Sequence, residues 1–400
     1  MHEPLHHQTH AETMPIGIRI ENGHALIDGR FESAAINVES LGGTIAGLDH
    51  DGRIDRRFDA AGLLILPGIV DIHGDAFERQ MMPRPGVDFA LDIALFESDR
   101  QAIANGITTL FHGVTWSWEP GLRGPENARL MLETIERLRP QLGADTRFHL
   151  RHETYNVDAE PEIIDWLNHH RIDVLAFNDH MLLTEQASAR PQKLAGMVER
   201  SGLSRDQFLE LVARVKQRAG EVPASIERLA RTAIANHVPL LSHDDSSPDQ
   251  RRWFRTLGCR LAEFPTNVET AREAADHGDH IVLGAPNVVR GGSHTGWIKA
   301  ADMIAQGLCS ILASDYYYPA PLLAAFRLAA DEVVPLEQAW ALVSQSAAAA
   351  VGMGDRGVIK RGHRADLIVV DAHDPRRPRV IATIVAGKLV HLTDATRLTA

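Results

Sequence analysis

The chain has 400 residues, 44% hydrophobic and 24% charged, which is ample apolar material for a core and excludes a disordered scaffold. A formal charge of −12 argues against a protein that coats nucleic acid or an anionic membrane; local basic pockets for a small anionic substrate remain the expected partner site. Only five lysines stand beside 36 arginines, two cysteines cannot build a disulfide framework, and no run of about 18 apolar residues occurs, so a cytoplasmic protein without a membrane span is expected.

Residues 1–13, with His2, His6, His7 and His10, read as a disordered tail. From 14 to 66, short β-prone runs alternate with Asn22-Gly23, Asp28-Gly29 and Asp51-Gly52, which predicts hairpins in a small antiparallel sheet. Residues 356–400 repeat this texture, with apolar runs at 357–359, 365–370 and 380–390. Neither end has enough strands for a core of its own. The two are expected to complete one small β-sandwich domain around the stretch 67–355.

That central stretch holds eight apolar runs, at 69–73, 107–111, 148–151, 174–178, 238–242, 260–264, 280–284 and 310–314. Helix-like segments such as 127–139, 205–219, 226–236 and 268–277 lie between them. The alternation predicts an α/β fold, a (β/α)8 TIM-like barrel. A doubly wound sheet is the alternative, but no G-x-G-x-x-G follows the first run.

Strand C-termini of such a barrel converge on one face, and here they carry chemistry. His73 and Asp75 follow the first run, Glu153 the third, His180 the fourth, His243, Asp244 and Asp245 the fifth, Glu263 the sixth, Arg290 and His294 the seventh, and Asp315 the eighth. Imidazoles mixed with carboxylates suit a divalent metal, one or two zinc ions, with manganese or iron as alternatives. His73 and Asp75, two apart on an extended segment, can chelate one ion. Glu153 is placed to bridge to a second ion held by His180 and His243, with Asp315 toward the bound water. Asp315, Asp244 and Asp245 are the candidate proton acceptors. The expected reaction is metal-assisted hydrolysis.

For an anionic substrate, Arg290 with Gly291, Gly292, Ser293 and His294 offers a cation beside a backbone anion nest. Arg84 is a second cation, Arg123 and Arg151 read as facing water, and Glu263 is a candidate for sugar hydroxyls. Trp116 and Trp118 either wall the pocket or cap the barrel.

The run 66–73, the flanking β segments and the closing 357–369 resemble the amidohydrolase superfamily. Within it, His73-Gly74-Asp75 followed by 83–87, His149-Leu150-Arg151-His152-Glu153, Asp179-His180, Ser242-His243-Asp244-Asp245, the glycine-rich 284–296 and Ser314-Asp315-Tyr316-Tyr317 resemble the phosphonate-metabolism branch. That resemblance implies release of pyrophosphate from a ribose 5-triphosphate bearing a methylphosphonate at carbon 1. It also implies homo-oligomers or other phosphonate-processing enzymes as macromolecular partners. Three departures stand out: Asp75 where most of the superfamily has a second histidine, no lysine placed for a carbamylated bridge, and Gly74 with Tyr318 where the branch has threonine and only two tyrosines. The last pair is expected to alter the rim of the site. Hydrolysis of an amide, lactam, carbamate or amidine is the competing expectation.

Overall fold

The computed structural model describes residues 17–48, 54–84, 86–188, 190–292 and 298–400; the tail 1–13, Asp51-Gly52, Ser293 and His294 lie outside these. Eight strands run parallel in sequence order, Ile69–Gly74, Ile107–Trp116, Asp145–Glu153, Val174–Asn178, Leu240–His243, Leu261–Glu263, His280–Gly284 and Ile311–Ala313. The first and last meet through backbone bonds from Asp315 N to His73 O (2.9 Å) and Asp75 N to Asp315 O (3.0 Å), closing the barrel. The seam of closure therefore lies among the proposed functional residues themselves.

Val70, Ile72, Phe111, Val174, Ala176, Leu241, Leu261, Val282, Ile311 and Ala313 fill the barrel interior. Ala347 and Ala348 of the helix Gln345–Ala350 join this cluster, their small side chains allowing close approach. The interior is thus a packed core below the site, and chemistry is confined to the strand C-termini.

The chain ends form two sheets. Gly17–Glu21, Ile36–Glu39, Ile45–Leu48, Arg56–Asp59 and Leu398–Thr399 make a five-stranded sheet. His24–Ile27, Arg30–Ser33, Leu64–Pro67, Leu367–Asp371, Arg379–Val385 and Lys388–Leu392 make a six-stranded one. Ile20, Ile36 and Phe58 of the first share a buried cluster with Ile65, Leu367 and Ile384 of the second, as in a sandwich. Leu66, Ile368 and Val370 face the opposite way, into the cluster that contains barrel helices.

The single antiparallel sheet expected for 14–66 is corrected here. The residues divide between both sheets, and two of their pairings are parallel. Asp28-Gly29, both at positive φ, does make the tight hairpin its sequence predicts. Asn22-Gly23 instead carries the chain from one sheet to the other. Glycine is required there because a Cβ would lie 2.8 Å from Ile65 Cδ1.

Between the fourth and fifth strands the crossover is long. Helices Met181–Ser188, Pro191–Ser201 and Arg205–Lys216 precede the barrel helix Val222–Ala235. Their apolar faces gather Met181, Leu194, Phe208 and Val212 into a separate cluster against Trp118. This packing gives the site one wall. Among the described residues no helix is long and apolar enough to cross a membrane.

Candidate metal centre

The third strand ends in His149-Leu150-Arg151-His152-Glu153, and strand alternation turns residues 149, 151 and 153 to one face. His149 Nδ1 lies 2.9 Å from the carbonyl of Ile72, and His73 Nδ1 lies 2.7 Å from Glu263 Oε1. Those oxygens accept, so each ring carries its proton on Nδ1 and leaves a bare lone pair on Nε2. Both Nε2 atoms are buried without a hydrogen-bond partner. Burial also keeps these rings neutral, holding His73 well below the ordinary imidazole range and bringing His149 down to about 3.

Three groups of donor atoms, each within 4.8 Å of one another, gather here: His73, His149 and Glu263; His180, His243 and Asp244; and His73, Asp75 and Asp315. Buried neutral imidazoles with unshared Nε2 lone pairs, set against carboxylates, fit a divalent cation.

His180 stands between two carboxylates, 2.7 Å from Glu153 Oε1 and 3.0 Å from Asp244 Oδ2. Burial opposes its charge, but Glu153 and Asp244 outweigh burial and raise it to about 10. Burial pushes Asp315 up to about 8, with the charge of Asp75 adding to the effect. Burial opposes ionisation of Asp244 too, yet the neighbouring His243 and the bond from His180 hold it below the usual carboxylate range. Asp244, Phe264 and Asp315, at the ends of three barrel strands, all have positive φ. Such backbone persists only where the surroundings fix it, and here it clusters at the donor groups.

Several expectations change on this geometry. Glu263 is fully buried against His73, so it cannot reach out to sugar hydroxyls. Asp245 accepts from Ser242 Oγ at 2.6 Å and pairs with buried Arg251 at 3.1 Å, turned away from the cluster. Glu153 contacts His180 and stands outside the three donor groups. Arg151 is no water-facing cation: it is buried, donating to Asp75 Oδ2 (3.3 Å) and His243 Nε2 (3.1 Å). The N–H groups of Gly291 and Gly292 donate to Val288 and Asn287 as the C-terminal cap of Ala285–Arg290, so they form no anion nest. Arg84 is exposed in the turn it makes with Val87.

The donors expected from sequence follow the apolar runs, whereas His149 lies inside one. The period-two relation to Glu153 was the available signal.

Three cavities open onto the cluster. One of about 350 Å³ touches Glu153 and His180 and runs beneath the extra helices, past Trp118, Arg123, Arg190 and Lys193. A second, about 200 Å³, touches His73, Arg151, His243, Asp244 and Asp315 and has Phe264, Pro265, Leu283, Pro286 and Ile298 as apolar walls. The third, about 540 Å³, lies at Asp75 and Asp315 with Arg79, Arg123, Arg290 and Tyr316. Trp118 walls the first; Trp116 is buried against Trp166.

Residues 204–391 match the Amidohydrolase family. Over 368 residues the chain is 32% identical to the alpha-D-ribose 1-methylphosphonate 5-triphosphate diphosphatase of Escherichia coli (strain K12), spanning 89% of this chain and 95% of that protein. The chain belongs to the amidohydrolase family. It is also 26% identical over 350 residues to the adenine deaminase of Brucella suis biovar 1 (strain 1330), across 83% of this chain but only 49% of that protein. In fold, this amidohydrolase is similar to dihydropyrimidinase from Brevibacillus agri NCHU1002 (TM-score 0.63, 13% identity, 94% and 95% of the chains covered). D-hydantoinase from Bacillus sp. AR9 is similar too (TM-score 0.64, 12% identity, the same coverage). Of the lysines of this amidohydrolase, Lys193 lines the first cavity.

Proposed function

We propose that this amidohydrolase releases pyrophosphate from a ribose 5-triphosphate carrying a phosphonate at carbon 1. The carrying observation is the meeting of two environments at one strand-end cluster: donor atoms suited to a divalent cation, and arginines facing the adjoining cavities. The 32% identity to the Escherichia coli diphosphatase over nearly its whole length supports the same substrate class.

His73, His149, Glu263, Asp75, His180, His243 and Asp315 would hold the metal; zinc suits this mixture of imidazole and carboxylate. When bound, a divalent ion supplies a water-derived nucleophile at neutral pH and charge for the phosphoryl oxygens. The chain's own residues do the rest. Asp315 accepts the proton of the attacking water at a carboxylate oxygen. Glu263 holds His73 in the tautomer that leaves Nε2 bare, and Glu153 and Asp244 hold His180 in place. Arg123 offers a planar donor fork where oxygens gain charge as the anhydride breaks, and Arg290 one that binds an anionic group of the substrate. The apolar walls of the second cavity take the uncharged sugar body and limit water there.

The competing reading is C–N hydrolysis, favoured by the match to adenine deaminase. Metal-loaded protein offered adenine and the ribose 5-triphosphate in parallel separates the two. Pyrophosphate without ammonia supports the proposal; ammonia from adenine without pyrophosphate overturns it.

A further inference from the structure

Tyr316 directly follows Asp315, whose positive φ turns the chain sharply at the end of the last barrel strand. Its ring lies 5.5 Å from the guanidinium of Arg79, and its hydroxyl accepts from Arg290 Nη1 at 3.3 Å. One aromatic side chain thus holds two arginines from distant parts of the chain, one by its face and one by its oxygen. Both arginines border the third cavity, which reaches Asp75 and Asp315.

Three carboxylates, Asp75, Glu78 and Asp315, line this cavity beside Arg79, Arg123 and Arg290, and two of them are already paired. Glu78 is met by Arg123 at 3.4 Å and Asp75 by Arg151 at 3.3 Å. Among the described residues neither Arg79 nor Arg290 has a carboxylate within ion-pair distance, whereas Arg123 and Arg151 do. Two guanidiniums held on one tyrosine, neither in an ion pair, offer planar donor forks of the kind that fit phosphate or phosphonate oxygens in pairs.

We infer that Arg79 and Arg290, clamped on Tyr316, form a subsite for a terminal phosphate or phosphonate group of the substrate. The inference rests on the diphosphatase reading and deepens it by naming where one anionic end sits. Because Tyr316 is bonded in sequence to Asp315, the clamp sets a fixed distance between that end and the proton acceptor. Reach is thereby selected as well as charge.

The test is calorimetric titration of chelator-treated protein, without metal, using two separate probes, tripolyphosphate and methylphosphonate. Wild type is compared with Arg79→Ala, Arg290→Ala, Tyr316→Phe and Tyr316→Leu. Arg79→Ala and Arg290→Ala should each weaken binding of one probe about tenfold or more. Tyr316→Phe, which keeps the ring, should follow Arg290→Ala in direction with a smaller loss, and Tyr316→Leu should exceed it. Loss confined to tripolyphosphate places the polyphosphate end at the clamp; loss confined to methylphosphonate places the phosphonate end there. Wild-type affinity for both probes in both arginine variants overturns the inference. In metal-loaded protein the same variants should lower kcat/KM mainly through KM, which a merely structural role would not do. If wild type binds the probes through these arginines yet releases no pyrophosphate, the diphosphatase reading fails and the anion subsite stands.

Discussion

Gly74 and Tyr318 compete for one volume beside the first barrel strand. A Cβ built on Gly74 would lie 3.1 Å from Tyr318 Cε1, 2.8 Å from Leu110 Cδ1 and 3.0 Å from Asp71 Oδ2. Tyr318 is buried in the core, so it does not shape the rim as its sequence position suggests. A side chain at 74 would meet this ring as well as Leu110 and Asp71.

Gly74→Thr should consequently lower stability by about 1–3 kcal/mol, the range of overpacked cores. Gly74→Thr combined with Tyr318→Ala should recover part of that loss, giving a coupling energy of about 0.5 kcal/mol or more. Thermal denaturation of the two single variants and the double variant measures it; strictly additive losses would contradict the shared volume.

Asp244 and Asp245 are adjacent but should fail differently. Asp245 pairs with Arg251 in a fully buried site, and Arg251 keeps Asp279 at 3.4 Å as a second carboxylate, so Asp245→Ala should cost about 1–3 kcal/mol, the penalty for losing a buried hydrogen-bond partner. Asp244 faces His180 in the cleft, so Asp244→Asn should keep the fold and lose turnover. Denaturant midpoints and rates together distinguish the two residues, and a reversed pattern would refute their placement.

Metal uptake should expel protons. In the metal-free protein His180 is raised to about 10 and Asp315 to about 8, so both carry protons near neutrality. A cation requires them deprotonated, so its affinity should climb with pH across this range. The sign for stability is opposite: charged His180 stabilises the metal-free fold fully below its ordinary 6.5, and that contribution is lost as pH rises through about 10. Zinc titrations in buffers of different ionisation enthalpy test this. Heats independent of the buffer would contradict it.

Glu263→Gln should reduce metal affinity about 10- to 100-fold while the protein stays folded, because the carboxylate orients His73. Elemental analysis after dialysis against graded zinc gives the number. Unchanged occupancy would remove Glu263 and His73 from the metal centre.

The barrel was legible because each of the eight parallel strands contains a short, buried apolar run, even where the strand continues through polar residues, as in Asp145–Glu153. Sheet partners at the chain ends were less so: Asn22-Gly23 has the local chemistry of a hairpin, and only contact with Ile65 reveals a crossing between sheets. At the site, position along a strand pointed to His73, Asp75, His180, His243 and Asp315, which the structure gathers into groups of potential metal donors. What a side chain faces across the barrel was invisible, hence the misreading of Glu263, Asp245 and Arg151. Arg79 lies on the short helix Phe77–Met81, and nothing in its local sequence connects it to Tyr316.

The central claim is best tested by phosphorus NMR of zinc-reconstituted protein incubated with the 5-triphosphate of ribose 1-methylphosphonate. The account predicts pyrophosphate and a 5-monophosphate in equal amounts, with both signals absent for Asp315→Asn. An unchanged triphosphate spectrum from folded, metal-occupied protein would contradict it.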